Sequence, residues 1–367
     1  MAAKPPNPAD PAPSSDADAG HATEISRAGE PVSFRRRNAV STAGQGQIRV
    51  AAVIGDQTHE MVGDEAMGRL PAFLLESGAS IWVDLAGPSR DQVEAVGAAL
   101  GLHPLIVEDV LEGNQRAKIE TTDGVVHIVL FHLDYAAELV ASETDIVLGP
   151  GFLLTTHDAS WDPRASNHMR GGVETILKHG PDHLLWALAD DIVDGYFPFA
   201  DQLGYAIDEV QDAVVQKADK ATLERLFLLK RELIDVRRAV SPVREVFNQV
   251  TNRDMPLIDE EELVYFRDIY DHVIRLTDEL DNYRELASAT LDVYLTTINN
   301  NLSIIMKRLT GVTVILAGIG AVAGIFGMSE AGLALNGGEA GGFWAVTAFV
   351  VGIASIAALI LRKIDWI

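Results

Sequence analysis

No cysteine occurs among the 367 residues, which excludes disulfides and thiolate metal sites. Basic residues are scarce: 29 Lys and Arg stand against 53 Asp and Glu, for a formal net charge of -24. That balance repels nucleic acid and attracts cations, so no nucleic-acid partner is expected. Between 47 and 158 there is no Gly-rich phosphate loop, no G-x-S-x-G elbow and no His/Glu zinc pair. With no nucleophile–base pair and no cofactor loop, neither an enzyme nor an organic cofactor is expected. The first residues hold no charged segment followed by an apolar run, so no signal peptide is expected.

Charge is also missing from two stretches near the C-terminus, and these organise the chain. From Leu309 to Met328 no side chain is ionisable. As a helix this run spans about 30 Å, the thickness of a bilayer's hydrocarbon core. A second uncharged run covers Phe343–Leu361. Lys307 and Arg308 precede the first run, and Arg362 and Lys363 follow the second. Both basic flanks thus lie on one side of a hairpin. Backbone polar groups in lipid must be satisfied internally, so both runs are expected to be transmembrane helices. The positive-inside rule then puts both termini in the cytoplasm of a multi-pass protein of the cell (inner) membrane. The segment 309–367 carries Glu330, Glu339 and Asp365 against Arg362 and Lys363, so -23 of the -24 belongs to the first 308 residues.

What is present before the hairpin divides by pattern. Residues 1–46 are rich in Ala, Pro, Asp and Ser and bury too little to offset chain entropy, so a disordered tail is expected, with Arg35, Arg36 and Arg37 as a solvated basic cluster. Residues 47–180 read as a cytoplasmic α/β domain, with strands at 49–54, 81–85, 125–131 and 152–156. A helix is expected from Ser89, which with Gln92 fits a capping box, and a short one in HPLIVEDVLEG. His127 and His132, five apart on a strand, face opposite ways and make no evident metal site. Residues 181–258 read as a helical hairpin, Asp182–Val215 and Ala221–Asn252. A stalk helix is expected over 259–308, continuous with the first membrane helix, 309–328. An external loop, 329–342, the second membrane helix, 343–361, and a cytoplasmic tail, 362–367, complete the α+β membrane protein.

Across the membrane edge runs a stripe of small or weakly polar residues at spacings of three and four: Ser303, Met306, Thr310, Thr313, Ala317, Gly320, Gly324 and Gly327. Gly320 and Gly324 form a GxxxG pair, which permits close helix approach. The stripe either packs helices together or lines a narrow pore, and spacing alone does not separate the two. Two helices enclose no aqueous path, so conduction requires a closed symmetric oligomer.

At these residues the chain resembles the CorA family of divalent-cation transporters and channels. The resemblance covers about 47 to the C-terminus and rests on HPLIVEDVLEGNQRAKIE at 103–120, FRDIYDHVIRLTDELDNYRE at 266–285, LDVYLTTINNNLSIIMKRLT at 291–310 and GIFGMSE at 324–330. It implies a homopentameric funnel in the bilayer, its first membrane helix lining the pore. It implies inward flow of hydrated Mg2+ driven by the membrane potential. Co2+, Ni2+ and Zn2+ are further ions of this class. By residue-level match, Glu108, Asp109 and Asp268 are the regulatory acids that bind Mg2+ between subunits. Met306 and Leu309 match an apolar constriction, and Ser303 a polar ring beside it. Read without the family, Glu108 and Asp109 would simply solvate a helix. The family's Gly-Met-Asn signature stands here as Gly327, Met328 and Ser329, and a Pro common midway along the pore helix is Gly318. Glu330 and Glu339 fall at the outer mouth. The alternatives are a Zn2+ or other transition-metal transporter similar to ZntB, and a non-conducting membrane-anchored cation sensor.

Overall fold

The structure is a computed structural model that describes residues 35–40, 46–113, 116–135, 139–253, 255–328 and 341–363. Its α/β part is built on an eight-stranded mixed sheet. β1 (Arg35–Arg37), β2 (Gln47–Ile54), β3 (Gln57–Val62), β4 (Ser80–Ala86), β5 (Lys118–Thr122), β6 (Val125–Tyr135), β7 (Leu139–Gly149) and β8 (Phe152–His157) take the order β3-β2-β4-β8-β7-β6-β5. β1 pairs parallel with the start of β7, and β8 pairs antiparallel with its end.

The alternation of side chains along each strand sends them to two separate cores. Val50 and Ala52 of β2 pack with α1 (Gly63–Leu74), α2 (Arg90–Leu100) and α3 (Pro104–Glu112), through Leu70, Phe73, Val96 and Ile106. Ala51 and Val53 face the other layer, formed by α4 (Val173–Leu177) and α5 (Pro181–Asp194), through Leu177, Leu184 and Leu188. The capping box expected at α2 is present: Ser89 Oγ accepts from Gln92 N, and Gln92 Oε1 accepts from Ser89 N. α3 also falls where HPLIVEDVLEG placed it.

Several elements depart from the sequence reading. The three arginines expected in a solvated tail form β1: Arg36 lies over the Phe131 ring and Arg37 donates to Asp158 Oδ1 at 3.0 Å. Positions 1–34 of that tail lie outside the described residues. β3, α1 and β5 were not expected, nor was β7, which is buried along its whole length. The helix expected over 182–215 is two, α5 and α6 (Phe197–Gln216). Pro198 is the reason: it has no N–H for the Asp194 carbonyl, and its ring clashes there. Tyr196 at the break donates its hydroxyl to the Phe131 carbonyl at 2.6 Å, tying the corner to the sheet.

α7 (Lys220–Asn252) is capped by Asp219, whose carboxylate accepts from Thr222 N. α8 (Leu263–Met328) begins four residues after the expected Asp259 and runs 66 residues, about 100 Å. Its apolar period buries Phe266, Ile269, Val273, Leu276 and Leu280 in the core shared with α6 and α7. α9 (Gly341–Lys363) spans the second uncharged run.

Candidate functional site

Among the described side chains, Tyr294 is the last large one of α8 buried within the chain. Beyond it most described side chains of the helix are exposed. Its most apolar window has mean hydropathy 1.8 and is 6% buried, and among the described residues α8 is the helix long and apolar enough to cross a membrane. An aqueous location for so much exposed apolar surface is unfavourable, which is the physical case for lipid or neighbouring helices around it.

α9 covers one face of this segment. Val314, Ile315, Ile319 and Val322 of α8 meet Val350 and Ala354 of α9 around an apolar groove of about 370 Å3. With about 100° of turn per residue, Met306, Thr310, Thr313, Ala317, Gly320 and Gly324 project to the opposite side of α8. Ser303 and Leu309 lie at its margins. All eight are exposed. A Cβ on Gly320 or Gly324 would meet nothing within 4 Å, so the GxxxG pair packs nothing within the chain. Thr313 Oγ1 donates to the Leu309 carbonyl at 2.7 Å, which spends its proton on the helix and turns its lone pairs outward. Gly318 lines the α9 groove instead. Gly327 and Met328 end α8, while Ser329, Glu330 and Glu339 lie outside the described residues.

Two of the acids singled out in the sequence, Asp109 and Asp268, fall one in each of two clusters whose ligand atoms lie within 4.8 Å of one another. The first holds Asp109 of α3, Glu120 of β5 and His127 of β6. Glu120 and His127 are cross-strand partners in the β5–β6 register. His127 Nε2 lies 2.8 Å from Asp145 Oδ1 of β7, both side chains 1% exposed, and burial pushes the Asp145 carboxyl up. Lys118 Nζ stands 2.6 Å from Asp109 Oδ2 and 3.0 Å from Glu120 Oε2. Burial alone would lower the Lys118 pKa, but the two carboxylates outweigh it and hold the ammonium above its ordinary value. Glu108 is exposed and belongs to neither cluster.

The second cluster joins Asp190 on α5 to Asp268 and His272 on α8. His272 Nε2 is 3.8 Å from Asp268 Oδ2, one helical turn away, and His272 Nδ1 is 3.3 Å from Asp194 Oδ1. His168 Nε2 approaches Asp190 Oδ2 at 2.9 Å, and burial holds the Asp190 carboxyl above the usual carboxylate range. Oxygen-rich sets of this kind suit hard divalent cations. The sequence reading singled out Asp109 and Asp268, set His127 aside as a ligand and did not single out Glu120, Asp190 or His272. Only the i,i+4 pair Asp268–His272 was open to detection from spacing.

α8 thus carries a membrane-length apolar segment and, nearer its N-terminal end, two members of a carboxylate–imidazole cluster, the parts that a cation-handling membrane protein needs. Residues 77–363 match the family of the CorA-like Mg2+ transporter protein, and the chain belongs to that family. It is therefore a divalent-cation transporter and not an enzyme. The chain is 34% identical over 261 residues to the cobalt/magnesium transport protein CorA of Thermotoga maritima, covering 69% of this chain and 74% of that one. It is 24% identical over 304 residues to the protein of the same name from Methanocaldococcus jannaschii, covering 82% and 95%. The complete structure of the CorA magnesium transporter from that archaeon superposes with a TM-score of 0.70 at 22% identity, over 87% of this chain and 98% of the other. That last likeness concerns the fold.

Proposed function

We propose that five copies assemble around an axis lined by the free face of α8, and that hydrated Mg2+ enters the cell along it. The observation that carries this reading is the side of α8 left open once α9 is in place, where Thr310, Thr313, Ala317, Gly320 and Gly324 stand together. Mg2+ gives up its waters reluctantly, so a narrow lining of hydroxyls, backbone and small side chains suits an ion that keeps its shell. The membrane potential supplies about 2.3 kcal/mol per charge per 100 mV, doubled for a divalent ion. The chain is oriented with both termini in the cytoplasm, and the acidic portion before 309 concentrates cations there.

Met306 and Leu309, 59% and 58% exposed on the single chain, form the apolar ring that closes the path by dewetting. Asp109 and Asp268 carry regulation: cytoplasmic Mg2+ held between neighbouring copies neutralises facing carboxylates and keeps the ring shut. Loss of the ion leaves like charges opposed, and the subunits separate. Each cluster offers three protein ligands, fewer than the six of Mg2+, which leaves positions for water or a neighbour. Ser329 in place of Asn presents a shorter hydroxyl at the pore end and relaxes selection among divalent ions.

The test is uptake into proteoliposomes holding the full chain. Mg2+ influx is expected, falling as internal Mg2+ rises. Flux of Zn2+ but not Mg2+ would replace the ion. No flux of Mg2+, Co2+, Ni2+ or Zn2+ would reject transport and leave a sensor.

A further inference from the structure

The position between Asp109 and Glu120 already holds a positive charge. Lys118 and Glu120 are two apart on β5 and so share a face of the strand. Asp109 approaches that face from α3. The Lys118 ammonium sits between the two carboxylates, 2.6 Å from one and 3.0 Å from the other, with its side chain only 16% exposed. The carboxylate it holds on Asp109 is one that a divalent cation at this cluster would use. A divalent cation on the same carboxylate would stand only a few ångströms from the ammonium, where their repulsion is strong.

Space for the ammonium to move exists. Lys118 also lines a polar cleft of about 520 Å3 between β5 and α7, and Glu245 of α7 is on the cleft wall. Glu120 lines the same cleft, so a displaced ammonium retains one partner and gains access to another.

We infer that Lys118 is a tethered competitor for the Asp109 site: its ammonium neutralises Asp109 within the chain, and a divalent cation binds there only by displacing it. The inference rests on the reading of Asp109 as a regulatory ligand. Its consequence is a threshold. The site fills only when cytoplasmic Mg2+ is high enough to outcompete a charge that is always present, so the channel stays open at lower ion levels. Displacement also carries the event from α3 across β5 toward α7.

The experiment compares Lys118→Met, Lys118→Arg, Asp109→Asn and the Lys118→Met/Asp109→Asn double variant. The full chain in proteoliposomes is read by internal Mg2+ at half-inhibition. The same proteins in detergent are read by Mg2+-dependent protection from limited proteolysis. Lys118→Met keeps the stem and loses the charge, and both midpoints are expected to fall about fivefold, the scale of a partly screened ion pair. Lys118→Arg stays near the parent. Asp109→Asn raises the midpoint, and adding Lys118→Met to it produces no further fall. A Lys118→Met midpoint that is unchanged or raised, with Asp109→Asn still shifted, overturns the competitor role and leaves Asp109 a ligand. An unchanged midpoint in Asp109→Asn overturns both. Should Lys118→Met not fold, Lys118→Gln is read in its place by the same criteria.

Discussion

Arg237 of α7 holds Asp281 of α8 through two hydrogen bonds, Nε to Oδ1 at 2.7 Å and Nη2 to Oδ2 at 3.2 Å. The paired guanidinium holds the Asp281 carboxyl below the usual carboxylate range. This is the one bidentate clamp described between the stalk and its neighbouring helix. Both side chains are more than a third exposed, so solvent screens much of the gain. Arg237→Ala is expected to cost about 1 kcal/mol of stability, less in high salt, measured by chemical denaturation. Asp281→Ala should cost a similar amount, and the double variant little more than either. Full additivity would show that the two groups act independently.

The Asp190–Asp268–His272 cluster straddles α5 and α8, so a cation there ties the α/β part to the stalk. Asp268→Ala is expected to raise the internal Mg2+ needed for half-inhibition about tenfold, the scale of losing one ligand or its support. Asp190→Asn should act in the same direction. Flux titrations in proteoliposomes decide this, and inhibition identical to the parent removes Asp268 from regulation.

His132 of β6 stacks on Trp161 with ring centroids 5.4 Å apart. Burial pulls its pKa down to about 4; Asp134 and Asp158 push the other way, and His157 adds to the fall. The folded protein therefore keeps this ring neutral where the unfolded chain protonates it. Between pH 6.5 and about 4 the unfolded state binds more protons, so stability falls as pH falls through that window. His132→Phe should flatten the slope of denaturation free energy over that range. A slope equal to the parent's would assign the acid sensitivity elsewhere.

Much of the chain was legible because the signal was local. Twenty residues without charge, the Ser89–Gln92 capping box and the Phe266-to-Leu280 period each state their structure within a few turns. β7 was not legible. Its run Ser142, Glu143, Thr144, Asp145 reads as loop, yet all four side chains are buried. Asp145 Oδ1 meets His127 and the strand's backbone is paired on both sides, while Ser142 Oγ and Thr144 Oγ1 are buried with no hydrogen-bond partner among the described residues. The basic Arg35–Arg37 became a strand because β7 offered an edge beyond the end of β8.

The sequence by itself determined that this is a membrane protein of the CorA family, with an acidic α/β portion before a long helix whose end is apolar enough to cross a bilayer. Hydrophobic length and helical period are properties of neighbours in the chain, so they survive without a fold. Tertiary structure alone decided which acids stand together. Asp109 meets Glu120 and Lys118 only because α3 packs against the sheet beside β5, and Asp190 meets Asp268 across 78 residues because α5 lies against α8. It also decided which side of α8 remains open, since that depends on where α9 returns. Apart from near neighbours such as Asp268–His272 and Lys118–Glu120, these proximities and the exposed faces are set by packing between elements, which spacing in a linear chain does not encode.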